Sequence, residues 1–199
     1  RVGKRGTANP RRTHPTMTSL KLLDLFCGMG GWSIGFHREG FDCTGVDIYD
    51  VGYPYTLILA DIRSWTPTED YDVVVASPPC IDFSKTSMPP SWHRKVEPDL
   101  TLAKSTLFIL NHIGPEFWVV ENVRGSVPYF KPLFGEPIKK VGSRYLWGLF
   151  PIFDCEPQYG KWRLPPSPDR PWLRSRIPFP LSLALAKAIK QQLSEDTPP

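Results

Sequence analysis

Cys80 follows two prolines in the octet Ser77-Pro78-Pro79-Cys80-Ile81-Asp82-Phe83-Ser84, directly after the apolar run Val73-Val74-Val75-Ala76. Prolines fix φ and lack an amide donor, so the segment cannot continue as strand or helix. A thiol held on such a turn at a strand exit suits a nucleophile. The competing reading is a small buried apolar side chain, as free cysteines often are. Glu121 and Asn122 follow a second apolar run, Phe117–Val120. A thiol beside a carboxyl fits covalent addition with acid assistance. His93 falls in a polar loop and His112 on a helix, so a cysteine–histidine protease arrangement is weak.

A second group could bind a ligand. Cys27-Gly28-Met29-Gly30-Gly31 forms a glycine-rich turn after a short apolar run containing Asp24. Such a turn lets a ligand approach the backbone closely. The spacing is not GxGxxG, and no GxxxxGK[ST] occurs, which favours an adenosine-like ligand over a phosphate-rich one. Asp47 ends the next apolar run, placed to take ribose hydroxyls or to cap a helix. Asp61 ends the one after, placed to accept from an adenine amino group or to serve as a turn acid.

The elements that position these residues follow from periodicity. Strands are expected over Leu20–Phe26, Phe41–Val46, Thr56–Ala60, Asp72–Ala76 and Phe117–Val120, with Tyr145–Leu149 as a further candidate. Helices are expected over Trp32–Glu39, roughly 100–113 and Pro180–Leu193. The second is capped by Asp99, with Leu100, Leu102, Ala103, Leu107 and Leu110 on its apolar side. The alternation predicts one α/β domain with a doubly wound, mainly parallel, Rossmann-like sheet. Ligands of such sheets bind beyond the carboxyl ends of the strands. Gly28, Gly30, Asp47, Asp61, Cys80, Glu121 and Asn122 all project to that one edge. Residues 84–98 read as a long polar loop, and the proline-rich stretch 128–180 as largely loop and extended chain.

A chain of 199 residues is long enough for one full core. No apolar stretch approaches the roughly 20 residues of a membrane span, and no secretory signal is visible. The four cysteines show no CxxC spacing, so neither a zinc site, any other metal nor a disulfide framework is expected, and the compartment is cytoplasmic. A net charge of +4 permits a polyanionic partner. Residues 1–16 hold Arg1, Lys4, Arg5, Arg11 and Arg12 without an acid. They read as a disordered tail or as a basic arm for nucleic-acid phosphates, with Met17 a candidate natural start. The expected division is a tail over 1–18, a catalytic domain over 19–193 and a tail over 194–199.

Through these residues the sequence resembles the cytosine-C5 DNA methyltransferases. Asp24-Leu25-Phe26-Cys27-Gly28-Met29-Gly30-Gly31 is similar to the family's S-adenosylmethionine motif. Ser77-Pro78-Pro79-Cys80 with Phe83-Ser84 is similar to its catalytic motif, whose first position is more commonly glycine. Glu121-Asn122-Val123 is similar to a third signature, and Arg176-Ile177-Pro178 with the following helix to the last one. An aromatic residue after the paired prolines would mark amino-methyltransferases, and Cys80 stands there instead. The resemblance implies that Cys80 adds to C6 of cytosine, with Glu121 at N3 and the exocyclic amine. It puts Asp24, Phe26, Gly28, Gly30, Asp47, Ile48, Asp61, Pro78 and Ser175 around S-adenosylmethionine. It makes DNA the partner, met by Ser84, Lys85, Arg94, Lys95 and Asn122, with residues 84–98 as a mobile loop.

Departures accompany the likeness. The family's Gln-x-Arg-x-Arg motif is reduced to Ser143-Arg144-Tyr145, with Arg144 as its remaining arginine, and Ser175 replaces the asparagine of the last motif. About 30 residues separate Arg144 from Ser175, too few for the large recognition domain. A compact enzyme of the phage and mobile-element kind is implied, with little sequence preference or with a partner protein supplying recognition. Three rivals stand beside it: the same chemistry on an RNA such as tRNA, a non-catalytic nucleic-acid-binding relative, and transfer of a group other than methyl. Trp147, Trp162 and Trp172 read mainly as packing residues, and the oligomeric state is left open.

Overall fold

The computed structural model describes residues 19–84, 97–156, 173 and 176–195. Strands β1 (Lys21–Leu25), β2 (Asp42–Asp47), β3 (Thr56–Leu59), β4 (Val73–Ala76) and β5 (Phe117–Val123) pair in parallel. Strands β6 (Lys139–Val141) and β7 (Arg144–Leu149) complete a seven-stranded sheet of order β3-β2-β1-β4-β5-β7-β6. β7 pairs antiparallel with both β5 and β6. The chain winds outward from β1 through β2 to β3, then returns to build the other half from β4. The crevice of a doubly wound sheet opens at that reversal, beyond the carboxyl ends of β1 and β4.

Strand β4 is buried throughout, because helices cover both faces of the sheet. On one face, Leu22, Val73 and Val75 pack with Phe36 of α1 (Ser33–Arg38) and with Leu185 and Ile189 of α4 (Phe179–Glu195). On the other, Leu23, Leu25, Val74 and Ala76 pack with Ile109 of α2 (Thr101–Ile113) and Phe130 of α3 (Val127–Phe134). Each fully buried aliphatic side chain contributes roughly 1.5–3 kcal/mol.

Several expectations are corrected. The buried side of α2 is Ala103, Thr106, Ile109, Leu110 and Ile113, while Leu100, Leu102 and Leu107 are only half-buried. The N-cap position of this helix is Leu100 rather than Asp99, which stands one residue earlier and accepts from the Thr101 amide at 2.8 Å. Within stretch 128–180, expected as largely loop and extended chain, the described residues include helix α3 and the extended strands β6 and β7, while residues 157–172 and 174–175 lie outside the described residues. Pro128 occupies the first turn of α3, where its missing N–H costs nothing. β5 continues through Glu121 and Asn122 because β7 pairs with it as far as Val123. The last helix runs to Glu195, two residues past its expected end. Trp147 is fully buried and donates to the Gly135 carbonyl at 3.1 Å, a packing role. The tail 1–18, most of the loop 84–98, Trp162 and Trp172 lie outside the described residues. Among the described residues no helix is long and apolar enough to cross a membrane.

Candidate functional site

The Cys80 turn is held from several sides. The Asn122 amide donates to the Pro78 carbonyl at 2.9 Å, tying the exit of β4 to β5. The Cys80 carbonyl accepts from the Phe83 and Ser84 amides at 3.0 and 2.9 Å and from the Ser84 hydroxyl at 2.9 Å. The Phe83 ring anchors the turn between Tyr129 and Phe130 of α3. A Cβ on Gly125 would collide with the Phe83 carbonyl, so glycine there permits the close approach of the two turns. Cys80 itself is half-buried.

The other thiols differ in environment. Burial pushes the Cys43 thiol up to about 12 and Cys27 higher still, which makes both inert. Burial also raises Cys155, which lies beyond β7.

Glu121 faces the same edge from within β5. Burial raises its carboxyl above the usual range, opposed by the Arg144 guanidinium and by the nearby Ser77 hydroxyl. Arg144 Nε stands 3.6 Å from Glu121 Oε1. This pairing follows from register: Glu121 opposes Leu146 and Val123 opposes Arg144, so Glu121 and Arg144 are diagonal neighbours. Arg144 also donates to the Arg176 carbonyl at 3.2 Å, which fixes its far end.

The glycine-rich turn fills the adjacent part of the edge. Phe26 has φ 61, and Gly28 and Gly30 have φ 48 and 73. A left-handed phenylalanine costs roughly 1–3 kcal/mol and persists only where its surroundings enforce it. Here its amide donates to the Val46 carbonyl at 2.9 Å. Asp47 accepts from the Gly28 amide at 3.0 Å and the Tyr49 amide at 3.1 Å, joining the exits of β1 and β2. No helix follows Asp47, so it caps none. Ile48 is 55% exposed, an open apolar wall beside the turn.

Other expected site residues are placed differently. Asp24 is 1% exposed inside β1 and accepts from Ser33 Oγ at 2.7 Å. It supports the turn from below rather than facing a ligand, and burial pushes its carboxyl up to about 7. Asn122 is likewise 1% exposed, with its carbonyl oxygen accepting the Val123 amide at 2.9 Å. It holds the Cys80 turn and is not free to meet nucleic acid. Asp61 lies beside the Asp47 strand end but binds Arg63 through both carboxylate oxygens at 2.9 Å from Nε. That pairing holds its carboxyl down at about 2, and Asp61 acts here as a turn acid. Pro78 is buried and Ser84 half-buried in the Cys80 turn. Lys85, Arg94, Lys95 and Ser175 lie outside the described residues.

Sequence reasoning passed over Ser77 and Trp32. The Trp32 indole donates to Ser77 Oγ at 3.0 Å, across the crevice from the glycine turn to the nucleophile strand. The signal was present, since Ser77 begins the octet and Trp32 directly follows the glycines. A cleft of about 340 Å³ opens beside the Cys80 turn, lined by Phe83, Ser84, Val123, Arg124, Lys140 and Tyr145 among others. Its two cations suit an anionic chain.

Comparison with known proteins follows the same residues. The C-5 cytosine-specific DNA methylase model matches residues 20–129. The type II methyltransferase M.FnuDI of Fusobacterium nucleatum is 34% identical over 118 residues, covering 54% of this chain and 33% of that protein. The type II methyltransferase M.AquIA of a Picosynechococcus strain is 28% identical over 157 residues, covering 65% of this chain and 62% of that one. The chain thus spans about a third of the first relative and under two thirds of the second. A prophage-encoded E. coli protein described as a DNA modification methyltransferase shares the fold, with a TM-score of 0.50 and 22% identity over 66% of this chain and 47% of that one. Since the matched stretch takes in the glycine turn, the Cys80 turn and Glu121 and exceeds half the chain, the protein belongs to the C-5 cytosine-specific DNA methylase family.

Proposed function

We propose that this chain methylates cytosine at C5 in DNA, through a covalent bond between Cys80 and C6 of the ring. The observation that supports this most is the meeting of the Cys80 turn, Glu121 and Arg144 at one sheet edge, beside the glycine turn. The cofactor that family membership implies is S-adenosylmethionine, which supplies an electrophilic methyl group when bound. The left-handed Phe26–Gly30 turn, the Asp47 carboxylate and the exposed Ile48 wall fit an adenosine moiety. Asp47 would take the ribose, and Phe26 and Ile48 would flank the adenine. Asp61 would reach the adenine amine by exchanging its exposed pairing with Arg63, which is weakly held.

In this account the Cys80 thiolate forms the bond to C6, and the ring's π electrons shift toward C5 and N3. Glu121 donates its proton to N3 as that charge develops. Its burial serves the role, because a carboxyl raised above its usual range keeps a proton nearer neutral pH. Arg144 limits that rise and holds the carboxyl in place. After C5 is alkylated, loss of the C5 proton to solvent expels the thiolate, and N3 returns its proton to the Glu121 carboxylate, which restores the ring. A duplex cytosine is out of reach in its stack, so it would be flipped out, at a cost of a few kcal/mol. Ser84, Lys85, Arg94 and Lys95 would meet the nucleic acid, and Pro78 and Ser175 would border the cofactor.

The test compares methyl transfer to duplex DNA, single-stranded DNA and tRNA. The expected result is transfer to duplex DNA, lost in Cys80→Ser. Transfer confined to tRNA would replace the substrate, and full activity in Cys80→Ser would remove the nucleophile.

A further inference from the structure

Glu121 is buried at the exit of β5, and one of its neighbours is a hydroxyl that a glycine could not provide. The parallel register sets Ala76 opposite Val120, which brings Ser77 level with Glu121. The Ser77 hydroxyl thus stands beside the Glu121 carboxyl, and its presence favours the charged form. A serine hydroxyl has one proton and two lone pairs. One lone pair is taken by the Trp32 indole N–H at 3.0 Å, and an indole N–H can only donate. The hydroxyl proton is therefore directed elsewhere, and the Glu121 carboxylate is the acceptor beside it.

Trp32 is itself fixed. It is buried, it follows the glycine turn directly, and its carbonyl accepts from the Ser182 hydroxyl of α4. Hydrogen bonds thus run from α4 through Trp32 to Ser77, which stands level with Glu121. They cross between the half of the edge assigned to the cofactor and the half assigned to the nucleophile. Among the described residues, the charged group facing Glu121 is Arg144 from β7 at 3.6 Å.

We propose that Ser77, held by Trp32, is the positioning residue that orients the Glu121 carboxyl and sets its readiness to give up a proton. The proposal rests on the catalytic role of Glu121 given above. It assigns to this chain's Ser77 a task beyond turning the backbone. An oriented donor favours the ionised carboxyl, so its removal leaves burial less opposed and makes the carboxyl keep its proton to higher pH.

The test is carboxyl titration by NMR in the free protein, with glutamate labelled by carbon-13 and Glu121 assigned by its loss in Glu121→Gln. Ser77→Ala is expected to make Glu121 hold its proton roughly tenfold more tightly. Ser77→Thr keeps a hydroxyl and is expected to restore the wild-type midpoint. Trp32→Phe, which removes only the indole donor, is expected to shift the midpoint in the Ser77→Ala direction by less. A midpoint unchanged in Ser77→Ala would overturn the proposal, as would a change that Ser77→Thr fails to reverse. This readout needs neither cofactor nor nucleic acid. Absence of methyl transfer by the wild type would count against the catalytic reading, and an unmoved titration against the role of Ser77.

Discussion

Asp24 shows how burial of a single carboxyl becomes a property of the whole protein. Its folded value of about 7 lies above the ordinary aspartate value of 3.8. Between those two values the unfolded chain has lost the proton while the folded chain keeps it. Stability is therefore complete below about pH 4 and falls as pH rises toward 7. The loss is on the order of 4 kcal/mol. Urea denaturation across this range checks it, with Asp24→Asn expected to flatten the decline. Arg144 gives a second expectation at this scale. Arg144→Ala leaves the buried Glu121 carboxylate without its cation, at a cost of about 1–3 kcal/mol. Denaturation midpoints should fall more at high pH, where the Glu121 carboxyl is ionised, than at low pH, where it carries its proton.

Among the elements, glycines stand at several close approaches, and two of them give expectations. A Cβ on Gly35 of α1 would collide with Ser182 and the Leu183 amide of α4. Gly35→Ala should therefore part the two helices and destabilise by about 1–3 kcal/mol, measured as a lowered melting temperature. Gly125→Ala should push on the Phe83 carbonyl and displace the turn bearing Cys80. Its expected signature is a roughly 100-fold loss of methyl transfer, out of proportion to any fall in melting temperature. The parallel strands were legible because burial on both faces gives unbroken apolar runs such as Val73–Ala76. α3 was not, since Pro128 and Pro132 argue against helix until one sees that the first falls in the opening turn. β6 was not legible either. It has three residues, two of them lysine, which suits a sheet edge but leaves no periodic pattern. The site divides in the same way. Cys80, Glu121 and the glycine turn were readable as strand-end residues. The pairing of Arg144 with Glu121 depends on a register between β5 and β7 that spacing alone does not reveal, and the burial of Asp24 depends on α1 bringing Ser33 onto β1.

At the scale of the molecule, the sheet brings a nucleophile half and a nucleoside half to one edge on either side of the reversal between β1 and β4. One measurement tests that arrangement most directly: incubation with S-adenosylmethionine and a duplex oligonucleotide carrying 5-fluorocytosine. Fluorine cannot leave C5 as a proton does, so a thiol bound at C6 stays bound after methyl transfer. The account expects a denaturation-resistant complex, dependent on S-adenosylmethionine, with the crosslink on Cys80 by mass spectrometry and none in Cys80→Ser. A crosslink on another residue, or methyl transfer to cytosine with no crosslink at all, would contradict it.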